Sequence, residues 1–295
     1  MKYSTIAVIY NPNSTGSSQR IAEEFKRNLQ AKLPTQKVEL IATDHAGHGE
    51  ELAYSISKKE KQPLIISSSG DGGYNEVING ALKAQSEGAH PTTGLLPAGN
   101  ANDHYRNLHT EDIVSVIADK EPAKIDVLKL TGTSKGKSVE RLAHSYIGFG
   151  LTPIVGKELN KNKLNVFNQI WIVARTLFAV KAVKLTIDNE AHFYDSIIFS
   201  NVDSMSKVLT ISAPSHVNDG KFEVTIFRKR NRFELIGLLL KASVVGIKED
   251  AQVTTFELGV NKKSAPVQLD GEIMTLDPYS KVTISIEKQQ LSCVV

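Results

Sequence analysis

Residues 69–76 read Ser69-Gly70-Asp71-Gly72-Gly73-Tyr74-Asn75-Glu76, directly after the apolar run 63–68. The glycines let the backbone turn sharply and present successive N–H groups. The helix expected over 75–86 adds partial positive charge at its start, and the combination suits a phosphate. No Gly-Lys-Ser/Thr follows, so this is not a Walker A loop, and Asn75 stands where a dinucleotide fingerprint has its third glycine. Taken alone, a structural glycine turn explains the segment equally well. Its neighbours change the weighing. Leu96-Pro97-Ala98-Gly99-Asn100-Ala101-Asn102-Asp103 follows another short apolar run, Asn11-Pro12-Asn13-Ser14-Thr15-Gly16 follows the first, and Thr43 ends the second. Ligands of open α/β sheets bind beyond the carboxyl ends of the strands. Four such ends in small hydrogen-bonding residues make a nucleotide crevice. His45 and His48 lack a partner cysteine, and surface or turn roles fit them better than metal ligation.

The elements that must position these residues alternate through the first 125 positions. Strands are predicted over 5–10, 37–42, 63–68 and 94–96, and helices over 19–33, 49–61 and 75–86. Short apolar strands separated by helices imply a doubly wound parallel sheet. From 124 onward the texture changes to short alternating segments at 125–130, 141–148, 184–187, 191–200, 222–228, 253–258, 267–269 and 282–286. Asp219-Gly220 and Asp270-Gly271 punctuate them as turns, and the pattern is that of a β-sandwich or barrel. One helical stripe interrupts it over 164–180, with Phe167, Ile170, Trp171, Ala174, Leu177 and Phe178 at three-to-four spacing. It reads either as a core helix or as the lining of an apolar substrate groove.

The chain has 295 residues, 41% hydrophobic and 23% charged, which is ordinary globular composition and length for two domains at roughly 150 residues each. A single cysteine, Cys293, excludes an internal disulfide, a CxxC pair and a thiolate zinc site, and suits a reducing compartment. The start runs directly into the 5–10 strand with no basic-plus-apolar leader pattern, so a cytoplasmic chain is expected. The two most apolar stretches are broken by Arg175 and Lys241, short of a membrane span. A net charge of +3 is too mild to argue for nucleic acid. Its distribution is uneven: Lys157, Lys161, Lys163, Arg175, Lys181 and Lys184 face one acid, Glu158, and Arg228, Lys229, Arg230 and Arg232 form a second cluster. Such patches are solvated faces or meet anionic lipid headgroups.

The three strand-end motifs, followed in order by Asn218-Asp219-Gly220-Lys221-Phe222 and Asp270-Gly271-Glu272, resemble the diacylglycerol kinase catalytic-domain family over residues 3–285. That family is related to sphingosine kinases and more distantly to NAD kinases. The resemblance implies an α/β nucleotide domain over 1–125 and a β-sandwich lipid-substrate domain over 126–281. The end of the chain, about 282–295, would pack back on the first domain. It implies ATP as donor, Mg²⁺, and a lipid alcohol as acceptor, most simply diacylglycerol giving phosphatidic acid in phospholipid biosynthesis. Carried over, Asn11, Pro12, Asn13, Ser14, Thr15, Thr43, Ser69, Gly70, Asp71, Gly72, Gly73, Tyr74, Asn75 and Asn100 would hold the nucleotide. Glu272 would be the general base. His216, Asp219 and Lys221 would form a metal site, with Asp219 giving its carboxylate and the other two their backbone carbonyls. Hard oxygen ligands of this kind suit Mg²⁺.

The sequence departs from the family at points that matter. The family pattern is Gly-Gly-Asp-Gly-Thr, whereas Ser69 stands at its first position and Gly73 at its last. Asn100 stands where threonine is usual. Asp71 and Asp103 could organise a second, nucleotide-bound Mg²⁺ or could be helix caps; Asp219 and Asp270 could equally be hairpin turn residues. The expected enzyme is a cytoplasmic lipid kinase, peripheral at the inner face of an anionic membrane, with strand edges that allow a homodimer. The alternatives are an NAD kinase-like enzyme, which needs a polar dinucleotide pocket, and a non-catalytic nucleotide- or lipid-binding regulator.

Overall fold

The computed structural model describes residues 2–14, 16–154, 182–205, 209–210, 216–244, 246 and 250–295. The 164–180 stripe, most of the first basic cluster and Thr15 lie outside the described residues. The chain forms two compact units, residues 1–125 with 289–295, and residues 126–288.

The first unit alternates β1 (Thr5–Tyr10), α1 (Ser18–Lys32), β2 (Val38–Ala42), α2 (His48–Lys59), β3 (Pro63–Ser69), α3 (Asp71–Ser86), β4 (Thr92–Pro97), α4 (Asp103–Leu108) and α5 (Ile113–Asp119). Its strands are parallel in the order β4-β3-β1-β2, and Cys293 and Val294, near the end of the chain, pair in parallel with Thr93 and Gly94. β1 is buried along almost its whole length, which is why it reads as an unbroken apolar run rather than an alternation. α1 turns Ala22, Phe25 and Leu29 inward at helical spacing, against Ile6, Val8 and Leu64. The strand order reverses between β1 and β3. The loops that follow these two strands therefore leave in opposite directions, and a crevice opens at that point.

The second unit is antiparallel. β5 (Ala123–Ser134), β6 (Lys137–Ala143), β7 (Tyr146–Gly150), β8 (Val183–Ile187), β9 (Glu190–Ser200), β10 (Ser204–Met205), β11 (Leu209–Thr210) and β12 (Phe222–Arg228) precede α6 (Arg232–Val244). β13 (Ala251–Val253), β14 (Thr255–Val260), β15 (Ala265–Leu269), β16 (Glu272–Leu276) and β17 (Lys281–Val294) complete it. The main order is β16-β15-β7-β9-β8-β14-β17, with β12 on β9 and β5 on β6. Phe149, Phe199 and Phe222 form its centre, with Phe199 edge-on to the other two rings.

Among the differences from the periodicity, three have a clear cause. α3 starts at Asp71, four residues before its expected start, because Gly70 is the cap and Tyr74 N–H already donates to the Gly70 carbonyl (3.1 Å). The glycines are the first helical turn, not a loop before it. The segment 141–148 divides into β6 and β7, because the amides of His144 and Ser145 are drawn to a side chain. α6 is not foreshadowed, since an apolar run such as 235–240 has no period that separates helix from strand.

Candidate active site

Each strand end of the first unit is stitched by short polar residues. After β1, Asn11 Oδ1 accepts the Asn13 amide (2.9 Å) and the Asn11 carbonyl accepts the Ser14 amide (3.1 Å). Ser14 Oγ accepts the Ser18 amide (3.1 Å), and Ser18 Oγ accepts the Asn11 amide (3.2 Å). Ser18 also donates its hydroxyl to the Ser68 carbonyl, and Ser68 Oγ returns a bond to the Ser18 carbonyl (2.8 Å). The ends of β1 and β3 are thereby locked together, while Asn11, Pro12 and Asn13 stay exposed. Thr43 joins them by donating its amide to the Tyr10 carbonyl (2.9 Å).

The glycines exist for close approach. A Cβ at Gly99 would lie 2.3 Å from the Gly70 Cα, and one at Gly16 would lie 1.9 Å from the Ala98 carbonyl oxygen. The loops after β1, β3 and β4 thus meet backbone to backbone, with no room for side chains between them. α3 begins at this junction with Gly70 as its cap residue, which has no side chain to bond the first-turn amides, and a helix start favours an anion. Asn100 is half-buried in the loop after β4. Asn102 closes that loop from a left-handed backbone (φ 52°), binding the Gly99 amide (2.9 Å) and carbonyl (3.0 Å).

Other residues of the motif turn inward. The Asp71 carboxylate is 8% exposed and accepts the amides of Asp103 and His104 (3.0 Å each), capping α4. Tyr74 is fully buried, with its hydroxyl 2.9 Å from Thr93 Oγ1. Asn75 is buried and accepts the Asn79 side-chain amide at Oδ1 (3.2 Å). Both side chains turn inward, the Tyr74 amide is taken by the Gly70 carbonyl and the Asn75 carbonyl accepts the Asn79 side chain (2.9 Å), so these two residues shape the helix start from within. Glu76 holds the start of α2 by accepting the amides of Gly47 (2.8 Å) and Gly49 (3.0 Å). His45, His48 and Glu51 bring ligand atoms within 4.8 Å of one another, but His48 Nδ1 accepts the Asp44 amide (3.0 Å), a turn role.

In the second unit the Asp270-Gly271 hairpin has two positive φ angles, 48° and 101°, as a tight two-residue turn requires. Asp270 is completely buried and accepts three amides, from His144 (2.6 Å), Ser145 (3.0 Å) and Tyr146 (2.9 Å). His144 Nε2 lies 3.4 Å from the same carboxylate. Glu272 pairs with Leu269 and shares its face with Met274 and Leu276, which pack on the core. Being at the hairpin end, Glu272 itself is exposed. A rigid turn therefore carries an accessible carboxylate.

The 216–221 turn is organised by Asp126, another fully buried acid. Its carboxylate accepts the Gly220 amide (2.6 Å), and its own amide donates to the Val217 carbonyl (2.7 Å). Asp219 is exposed. It accepts the Lys221 amide at Oδ1 (2.9 Å) and the Gln252 side chain at Oδ2 (3.3 Å). The backbone of exposed His216 and Lys221 flanks it on the same turn, and the His216 carbonyl already accepts the Asp219 amide (3.2 Å).

Burial shifts three pKa values strongly among the described residues, and Tyr3 is one, raised to about 12. Burial pushes the Cys293 thiol up to about 12, so it is no nucleophile. Burial lowers His109, at the end of α4, to about 4 and keeps its ring neutral. Sequence reasoning missed Asp126 and His144. For Asp126 a signal existed, a carboxylate inside the apolar run 125–130, which demands a buried partner. For His144 there was none.

Residues 5–130 match the family model of the diacylglycerol kinase catalytic domain. A diacylglycerol kinase of Staphylococcus haemolyticus (strain JCSC1435) is 29% identical over 258 residues, covering 80% of this chain and 71% of that protein. One from Staphylococcus aureus (strain bovine RF122 / ET3-1) is 28% identical over 258 residues, 80% of this chain and 74% of that protein. Among solved structures, a diacylglycerol kinase from Bacillus anthracis str. Sterne superposes with a TM-score of 0.71 at 19% identity, covering 100% of this chain and 97% of that one. Yeast NADH kinase complexed with NADH gives 0.53 at 11% identity, covering 99% and 82%. The last two are likenesses of fold: a parallel α/β unit and an antiparallel unit in one chain. The motif order and the strand-end architecture agree with these likenesses: residues 5–130 are similar to the diacylglycerol kinase catalytic domain, and the chain is similar to diacylglycerol kinases over 258 residues.

Proposed function

We propose that this protein transfers the γ-phosphoryl group of MgATP to the hydroxyl of diacylglycerol or a closely similar lipid alcohol. The observation that carries the reading is the N-terminus of α3 at the strand-order reversal, where Gly70, Gly72 and Gly73 bring backbone without side chains to the meeting point of the loops. Asn11, Pro12, Asn13, Ser14, Thr15, Thr43, Ser69, Gly70, Gly72, Gly73 and Asn100 hold the nucleotide, with the backbone of Asp71, while Tyr74 and Asn75 support the start of α3 from within. The Asp71 side chain acts one step back, by fixing the start of α4 and with it the loop that carries Asn100.

Glu272 is the general base. Its carboxylate takes the proton of the lipid hydroxyl as that oxygen bonds to the γ-phosphorus and the bond to the ADP oxygen breaks. Asp219 and the carbonyls of His216 and Lys221 form an all-oxygen set that fits Mg²⁺, because each Asp219 oxygen uses one lone pair on a hydrogen bond and keeps another. A metal ion in such a kinase neutralises phosphate charge.

The acceptor resides in a membrane, and a surface suited to anionic lipid exists on the second unit. Phe193 is 49% exposed, with Lys184 Nζ 5.6 Å and Lys229 Nζ 5.4 Å from its ring centroid; Phe233 is 81% exposed beside Arg228, Arg230 and Arg232 in sequence. Aromatic rings flanked by cations suit the headgroup layer. The protein should sediment with vesicles of acidic phospholipid and not with neutral ones, and Phe193→Ser should reduce the bound fraction. Equal binding to both vesicle types would remove this docking surface.

The test of the reaction is phosphate transfer from ATP into lipid alcohols in anionic mixed micelles, with NAD as a competing acceptor. Glu272→Gln should lower transfer by roughly 10²–10⁴-fold, with MgATP affinity held within about twofold. Transfer to NAD, or full activity in Glu272→Gln, would overturn the proposal.

A further inference from the structure

Ser69 ends β3 and Gly73 lies in the first turn of α3, four residues later. A Cβ at position 73 would fall 2.6 Å from Ser69 Oγ and 2.7 Å from Ser69 Cβ. Side chains do not approach that closely, so positions 69 and 73 share one space, and the serine occupies it. The Ser69 hydroxyl is also anchored: it lies 2.7 Å from Ser67 Oγ and donates to the Gly70 carbonyl (2.9 Å). The two departures from the family pattern are the two halves of this pair. Where the pattern has glycine then threonine, this chain has serine then glycine.

We propose that Ser69 supplies a phosphate-binding hydroxyl from the strand end, and that positions 69 and 73, where only one side chain fits, are a single exchange unit. The inference rests on the nucleotide reading of this crevice. A serine hydroxyl can turn its one proton from the Gly70 carbonyl to a phosphate oxygen while still accepting from Ser67. Gly73 is required because Ser69 is present.

The experiment compares the wild type with Ser69→Ala, Ser69→Gly, Gly73→Thr and the double variant Ser69→Gly/Gly73→Thr, by thermal melting and by MgATP titration. Ser69→Ala keeps the Cβ and should weaken MgATP by about tenfold, since a hydrogen bond to a charged acceptor is lost, with little change in melting. Gly73→Thr alone should lower both melting temperature and affinity. Adding Ser69→Gly should restore both, with MgATP within about twofold of wild type. Wild-type affinity in Ser69→Ala, or additive losses in the double variant, would overturn the exchange while leaving the nucleotide site intact. A wild type that binds no MgATP would overturn the nucleotide reading, and the hydroxyl's role with it. In that case rescued melting in the double variant would still mark the steric pairing as separate.

Discussion

Asp-Gly occurs at Asp71-Gly72 in the first unit and at Asp219-Gly220 and Asp270-Gly271 in the second, and the carboxylates do different work. Asp71 and Asp270 are buried and accept amides from segments 32–33 and 124–126 residues away. Asp219 is exposed and binds its own turn through the Lys221 amide. A buried carboxylate left unpaired is costly, so the first two are retained by several charge-assisted bonds that also pin distant backbone. The exposed one has no such obligation and keeps acceptor capacity for a cation. The same dipeptide is a staple where burial demands partners and an open acceptor where water surrounds it. The units differ in a second way: the loops of the first meet through glycine backbone, and the second exposes side-chain carboxylates, Glu272 and Asp219, at its turns.

The largest expected effect is at Asp270. Asp270→Ala leaves three buried amides without their acceptor and should cost about 3–5 kcal/mol in urea unfolding. Asp270→Asn, which keeps one carbonyl oxygen, should cost less. Near-wild-type stability of the alanine variant would mean that the β6–β7 corner holds itself.

Next in size is an acid effect confined to the first unit. His109 sits at about 4 in the folded protein, against an ordinary value of 6.5. As pH falls through 6.5 the unfolded chain takes up a proton that the folded chain refuses until about pH 4. Stability present above pH 6.5 should therefore fall across that window, by up to ~3 kcal/mol. Urea melts at pH 7.5, 6 and 5 should show the slope, and His109→Phe should flatten it. An unchanged slope in that variant would place the acid-labile group elsewhere.

Asp71→Asn should be milder, about 1–2 kcal/mol, because the amide still offers α4 one oxygen but loses the charge at the helix start. MgATP affinity should drop with it if α4 positions the Asn100 loop. Smallest in stability is Asp219→Asn, under about 0.5 kcal/mol, as expected for an exposed turn. The same variant should raise the Mg²⁺ concentration needed for half-maximal activity. A large loss of stability with unchanged Mg²⁺ dependence would make Asp219 a third staple and erase the contrast.

Much of the fold was legible in the chain. β1 and β12 lie at the predicted bounds, and the parallel-then-antiparallel order follows from where helical periods stop and alternation begins. The glycine clusters at strand ends were visible too, since the need for close backbone approach removes side chains and leaves that mark in the sequence. Local chemistry accounts for these features: a strand's burial, a turn's φ angles and a helix's apolar stripe each depend on residues within a few positions. The tertiary structure alone decided that Asp71 caps α4, that Asp270 and Asp126 organise the two exposed acidic turns, and that Ser69 fills the space over Gly73. Those partners are backbone amides and empty volumes supplied by distant segments. Every residue but proline carries the same amide, so a sequence records the carboxylate that needs one but not which amides will reach it.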